Sequence, residues 1–102
     1  MKTPQLTLIY AEGCPACEEA KPHFARLARK LPNWKFGLLN VERPELNLDF
    51  PITYTPTLHL AYGGKRYTAD PFTLKRPFTE ANMELWLNAV ARKFNSQRSA
   101  AR

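Results

Sequence analysis

The stretch from Gln5 to Leu31, QLTLIYAEGCPACEEAKPHFARLARKL, constrains the chain most, because its periodicity changes across a pair of cysteines. Leu6, Leu8, Ile9 and Tyr10 form a short apolar run of the kind found in a mostly buried strand. Beyond Cys14-Pro15-Ala16-Cys17 the spacing becomes helical. Ala20, Phe24, Leu27, Ala28 and Leu31 share one face of a helix. Glu18 and Glu19 stand in its first turn and Arg26, Arg29 and Lys30 in its last two, the charge order that a helix dipole favours. Strand, tight turn and helix therefore put both cysteines at a helix N-terminus, with Cys14 expected to be the more exposed.

That placement has chemical consequences. The thiolate is the form that attacks a disulfide, and free N–H groups at a helix start stabilise it. Such a position can lower a cysteine pKa from about 8.5 to roughly 3.5–7.5. Two intervening residues allow Cys17 to resolve a mixed disulfide formed at Cys14. Glu12, Glu18 and Glu19 oppose the effect with nearby negative charge.

With 102 residues, the chain is expected to form one domain around one core. It is 44% hydrophobic and 24% charged, an ordinary globular composition. No stretch reaches the roughly 20 apolar residues of a membrane span. The opening MKTPQLTLIYAEGC is too short in its apolar run for a signal peptide, so a reducing cytoplasm is expected. There a lone C-x-x-C is more often catalytic or metal-binding than structural. The net charge of +6 raises nucleic acid as a partner. The pairs Lys65-Arg66, Lys75-Arg76 and Arg92-Lys93 are scattered, however, and read as solvated surface rather than a binding stripe.

A second strand is expected over Asn33–Val41 after Pro32, buried on both faces and parallel to the first. Glu42–Phe50 has room for one or two helical turns. Thr57–Tyr62 and Lys65–Ala69 read as an antiparallel hairpin about Gly63-Gly64, with Lys65 and Arg66 guarding an edge. Asp70–Phe78 reads as a loop with two prolines. Thr79 caps a last helix from Glu80 to about Phe94, with Met83, Trp86, Leu87, Val90 and Phe94 inward. Asn95–Arg102 reads as a disordered tail. The order β-α-β-(α)-β-β-α fits an α/β fold with a mixed four-stranded sheet and helices on both faces.

These residues together resemble the thioredoxin superfamily. The resemblance rests on C-x-x-C at a strand-to-helix turn, Pro22 five residues after Cys17, Leu39-Asn40-Val41-Glu42, and Thr55-Pro56-Thr57 before an apolar strand and a glycine turn. It spans about Leu6 to Phe94 and implies a thioredoxin-like domain over residues 1–94. It further implies a cis Pro56 lying against the cysteine pair. Cys14 is then the nucleophile, Cys17 resolves, and Thr55, Pro56, Gly13 and Pro15 border the substrate. The implied activity is thiol–disulfide exchange, most simply reduction of disulfides in protein substrates. A monomer with no bound cofactor is expected, recharged by an external reductant, either thioredoxin reductase or glutathione.

The departures are equally informative. Gly13 stands where thioredoxins usually carry tryptophan. Leu8 and Leu38 align with a buried aspartate and its lysine partner, so both members of that pair are replaced together and no orphaned charge remains. The family's usual first strand and helix are missing. Pro15 resembles glutaredoxin, but the glycine pair that follows the glutaredoxin sheet is absent. Loop Asp70–Phe78 is longer than the family's usual link. It is either a partner-specific surface or, more simply, a loop packing Phe72 and Phe78 on the sheet. Tyr10, Tyr54, Tyr62, Trp34 and Trp86 read as core before groove.

Three functions remain open at this point: a protein-disulfide reductase, a glutathione-dependent enzyme, and a binding module on a thioredoxin scaffold. Zinc is disfavoured, because only His23 and His59 are available to join the cysteines and neither is suitably placed. His23 reads as a helix-surface residue and His59 as a half-buried strand residue.

Overall fold

The computed structural model describes residues 3–41 and 54–100, with side chains described as far as Arg92. Strand β1 (Gln5–Tyr10) leads through the cysteine turn into α1 (Pro15–Lys30), and β2 (Lys35–Asn40) returns alongside β1. The hairpin β3 (Thr57–Tyr62) and β4 (Lys65–Ala69) follows. A one-turn helix α2 (Pro71–Leu74) and the long α3 (Glu80–Ala100) close the chain.

The sheet order is β2-β1-β3-β4. β1 and β2 are parallel, with Leu8 opposite Leu38. β1 and β3 are antiparallel, with Leu6 opposite Leu60 and Leu8 opposite Leu58. This register puts Leu6, Leu8, Leu58 and Leu60 on one face, where all four are sealed from solvent. Ala20, Phe24 and Leu27 of α1 and Met83, Leu87 and Val90 of α3 complete that core. Glu42–Phe50, where further helical turns were expected, lies outside the described residues.

Gly63 and Gly64 both take positive φ, 60° and 81°, which the two-residue turn of the β3–β4 hairpin requires. Thr79 caps α3 by accepting the Asn82 N–H at 3.2 Å. Lys30 binds Glu80 at 2.6 Å and Glu84 at 3.3 Å, tying α1 to the first turn of α3. The Lys30 ammonium in turn holds the Glu80 carboxyl below its usual range.

Several expectations are corrected. No residue of β2 is fully buried, and Leu38 is 55% exposed. β2 lies at one end of the described sheet, where its faces are less covered than those of the central strands β1 and β3. Asp70–Phe78 is not all loop. Asp70 accepts the Thr73 N–H at 2.7 Å and starts α2, and Lys75 ends it in a left-handed conformation, φ 59°. The backbone of α3 continues helical to Ala100, past the expected end near Phe94. Asn95–Ala100 contains no glycine or proline to stop it and includes the good helix formers Gln97, Arg98 and Ala100. Apolar periodicity marks where a helix packs, not where it ends.

Candidate active site

The turn between β1 and α1 is built by three successive residues. Gly13 takes φ 72°, a conformation that L side chains rarely adopt, and so swings the chain out of the strand. Cys14 follows in extended conformation, φ −99° and ψ 106°, as the N-cap of α1. Pro15 opens the helix at a position where its missing N–H removes no intrahelical bond. The Cys14 sulfur takes the role usually played by a serine or aspartate oxygen, accepting the Cys17 N–H at 3.1 Å. Donation from an amide to that sulfur favours negative charge on it.

Cys14 and Cys17 are joined as a disulfide with Cα atoms 5.2 Å apart. The pair is asymmetric. Cys17 is completely buried, whereas Cys14 is half-buried and borders solvent with Gly13, Pro15 and Ala16 exposed around it. An incoming molecule therefore meets Cys14 first.

Thr55 reaches the same sulfur from the other side of the site. Its hydroxyl lies 3.7 Å from Cys14 Sγ and its carbonyl oxygen 3.9 Å from it. The Thr55–Pro56 peptide bond is cis, and Pro56 is fully buried. Thr57, next in the chain, donates its hydroxyl to the Tyr54 carbonyl at 2.6 Å and so ties this turn into β3. The two segments that hold Cys14 and Thr55 thus extend from paired strands, β1 and β3.

Two of the acidic groups near the turn, Glu12 and Glu18, are engaged. Asn40 donates to Glu12 at 3.2 Å. Lys21 pairs with Glu18 at 3.2 Å and stands 4.0 Å from the centre of the Tyr10 ring. Among the described residues no group of His, Cys, Asp and Glu is arranged to hold a metal ion.

The structure separates the two histidines from the sulfurs by role. His23 is not merely a surface residue. Its Nδ1 accepts the Glu80 N–H at 3.1 Å and faces Arg26 Nη2 at 3.1 Å, so α1 caps α3 across the packing interface. The spacing of His23 on α1 gave no hint of this, because its partner is far along the chain. His59 is half-buried on β3. Tyr54 is a second surprise: it is 47% exposed and meets Phe72, with ring centroids 4.6 Å apart. Phe78 packs into the core but Phe72 does not, so the two rings of the 70–78 segment divide.

Comparison with known proteins agrees with this geometry. The chain is similar in fold to Fasciola hepatica thioredoxin, with TM-score 0.69 and 18% identity over 85% of this chain and 80% of that one. Chlamydomonas reinhardtii thioredoxin f2 gives TM-score 0.70 and 17% identity over 87% and 80%. A chain from a yeast structure concerned with thiol resolution in mitochondrial 1-Cys peroxiredoxin via glutathione/thioredoxin systems gives TM-score 0.58 and 24% identity over 72% and 74%. No curated protein is similar enough in sequence to count as a match. The thioredoxin family model matches residues 1–84, which include both cysteines, Thr55, Pro56 and the whole sheet. A close cysteine pair on this fold has the character of a thiol–disulfide oxidoreductase, and the chain belongs to the thioredoxin family.

Proposed function

We propose that the protein reduces disulfide bonds in other proteins. The observation that carries this reading is the asymmetry of the pair: Cys14 borders solvent as a helix cap, and Cys17 is sealed behind it within bonding reach.

In the reduced protein the Cys14 thiolate attacks one sulfur of a substrate disulfide. The substrate's other sulfur leaves as a thiolate and takes a proton, and a mixed disulfide remains on Cys14. Cys17 then loses its proton and attacks Cys14 Sγ, releasing the second substrate thiol. The substrate gains two electrons and two protons, and the protein is left with the Cys14–Cys17 disulfide. An external dithiol or a pair of glutathione molecules returns it to the reduced form. Thr55 and Pro56 line the approach to Cys14, and Gly13 and Pro15 leave it uncovered. No bound cofactor takes part in either half of the cycle. The protein works as a monomer in a reducing compartment, the cytoplasm.

Replacement of the family's buried aspartate by Leu8 leaves no carboxylate on β1 to take the Cys17 proton. Either Glu12 or water takes that part, or resolution is slow. The test is turbidimetric insulin reduction. Wild type is active and Cys14→Ser inactive, while Cys17→Ser accumulates a mixed disulfide visible by intact mass. Equal activity in wild type and Cys14→Ser refutes the reading. A Cys14 thiol that titrates at or above about 8.5 also counts against it. The reductant is identified by comparing recharging rates with glutathione and with a thioredoxin reductase.

A further inference from the structure

The 70–79 segment does more beside the site than link a strand to a helix. Four large apolar side chains are exposed among the described residues: Leu38, Tyr54, Phe72 and Leu85. Two of them, Tyr54 at 47% and Phe72 at 64%, stand against each other with their rings tilted at 58°. They come from separate segments, and Tyr54 directly precedes Thr55, whose two oxygens face Cys14 Sγ.

The backbone that carries each ring is tied down, and each ring rests on the other. The Tyr54 carbonyl accepts the Thr57 hydroxyl. Phe72 rides on α2, which Asp70 caps at one end and Lys75 closes at the other with its N–H bonded to the Pro71 carbonyl. Aromatic groups positioned in advance lose little conformational freedom on binding and make effective anchors. Pro56, two residues beyond Tyr54, and Pro71, which precedes Phe72, line a groove of about 170 Å³ that continues between Ala16, Ala20 and Phe78. Glu19 and Arg76 both border this groove, so opposite charges meet there and no net sign selects the occupant. Apolar contact is what this surface offers.

We propose that the Tyr54–Phe72 pair is a specificity platform for the polypeptide whose disulfide Cys14 attacks. This rests on the reductase reading above. The occupant is an extended substrate segment with an aromatic or branched aliphatic side chain two residues from its reacting cysteine. An extended chain advances about 3.3 Å per residue and returns to the same face every second residue. A side chain two positions from a cysteine held at Cys14 lies about 6.6 Å further along on the same face, and the platform reading assigns it to the ring pair beside Thr55.

The test uses two disulfide-linked peptides that are identical except for phenylalanine or serine two positions from the cysteine. The readout is the ratio of their kcat/KM values. Wild type favours the phenylalanine peptide by on the order of tenfold, as expected for burying much of one aromatic side chain. Tyr54→Ala and Phe72→Ala bring the ratio toward one. Leu38→Ala, which removes exposed apolar surface at the far edge of the sheet, leaves the ratio at its wild-type value. A wild-type ratio near one, or a ratio that neither aromatic substitution changes, overturns the platform while leaving the reductase reading intact. Hydroxyethyl disulfide is a small substrate without a flanking chain. Its failure to react with reduced wild type removes the reductase reading, and the platform with it.

Discussion

Reintroducing the charge pair that this chain lacks tests how completely the core behind the cysteines is sealed. Leu8 has no solvent-exposed surface, and its partner across the parallel ladder, Leu38, is 55% exposed. In Leu8→Asp the new carboxyl enters a face formed by Leu6, Leu58 and Leu60. Desolvation raises such a group by as much as about 3–5 pKa units. At about 1.36 kcal/mol per unit, the ionised form costs roughly 4–7 kcal/mol, on top of about 2 kcal/mol of lost leucine burial. That is most of the roughly 5–15 kcal/mol that holds a domain together. The sign with pH is definite. The native carboxyl has the higher pKa, so the unfolded chain releases its proton first, and stability falls as pH rises above about 4. Adding Leu38→Lys supplies a cation whose stem lies along the sheet and whose head stays in water. The recovery is about 1–3 kcal/mol, below the 3–5 kcal/mol lost when a fully buried pair is broken. Urea melts followed by Trp34 and Trp86 fluorescence, run from about pH 4 to pH 7 on both single variants and the double variant, give the coupling directly. A Leu8→Asp protein whose deficit does not grow with pH shows that water reaches the site. A double variant no more stable than the Leu8→Asp protein shows that the two positions do not face each other. Either result refutes the reasoning.

Other outcomes follow from single contacts. Gly13→Trp, the residue usual in the family, destabilises by about 1–2 kcal/mol through its left-handed backbone alone, because a Cβ there meets nothing within 4 Å; Gly13→Asn costs less, and thermal melts rank the two. His23→Ala removes the acceptor for the first amide of α3 and costs about 1 kcal/mol, read as faster hydrogen exchange at Glu80. The Asp70 carboxyl is held low by the Thr73 amide, and the Glu80 carboxyl by Lys30. Their stabilisation is complete above the ordinary values of 3.8 and 4.5 and is lost as pH falls through the depressed folded values, so acid weakens the α2 cap and the α1–α3 ion pair, visible as shifts of the Thr73 amide and Lys30 NMR signals.

What was legible in the sequence was whatever depends on near neighbours. The change of period after Cys17 located β1 and α1, Gly63-Gly64 located the hairpin, and Thr79 located the start of α3. The position of the cysteines at a helix start was legible for the same reason. What was not legible depends on which segments meet. The apolar run in β2 suggested burial on both faces, but exposure depends on the strand's place in the sheet and on what covers it there, which its own residues do not encode. His23 looked like surface because Glu80 is distant in sequence. Tyr54 and Phe72 each looked like core aromatics, and only the course of the 70–79 segment brings them together outside it. The helix over Asn95–Ala100 was not legible because that segment carries no apolar stripe.

The sulfur that faces solvent is also the atom that closes the first turn of α1. Chemistry and architecture therefore share one group, and whatever becomes of that sulfur is transmitted to the backbone amide of Cys17. The resonance of that single proton should act as a gauge of the cycle, with separate positions for thiolate, mixed disulfide and closed ring. Sharing the group also separates two substitutions commonly treated as equivalent. Serine at position 14 removes the nucleophile but keeps an acceptor for the helix, whereas alanine removes both, so a protein inactivated by alanine has lost part of its scaffold as well as its reactivity.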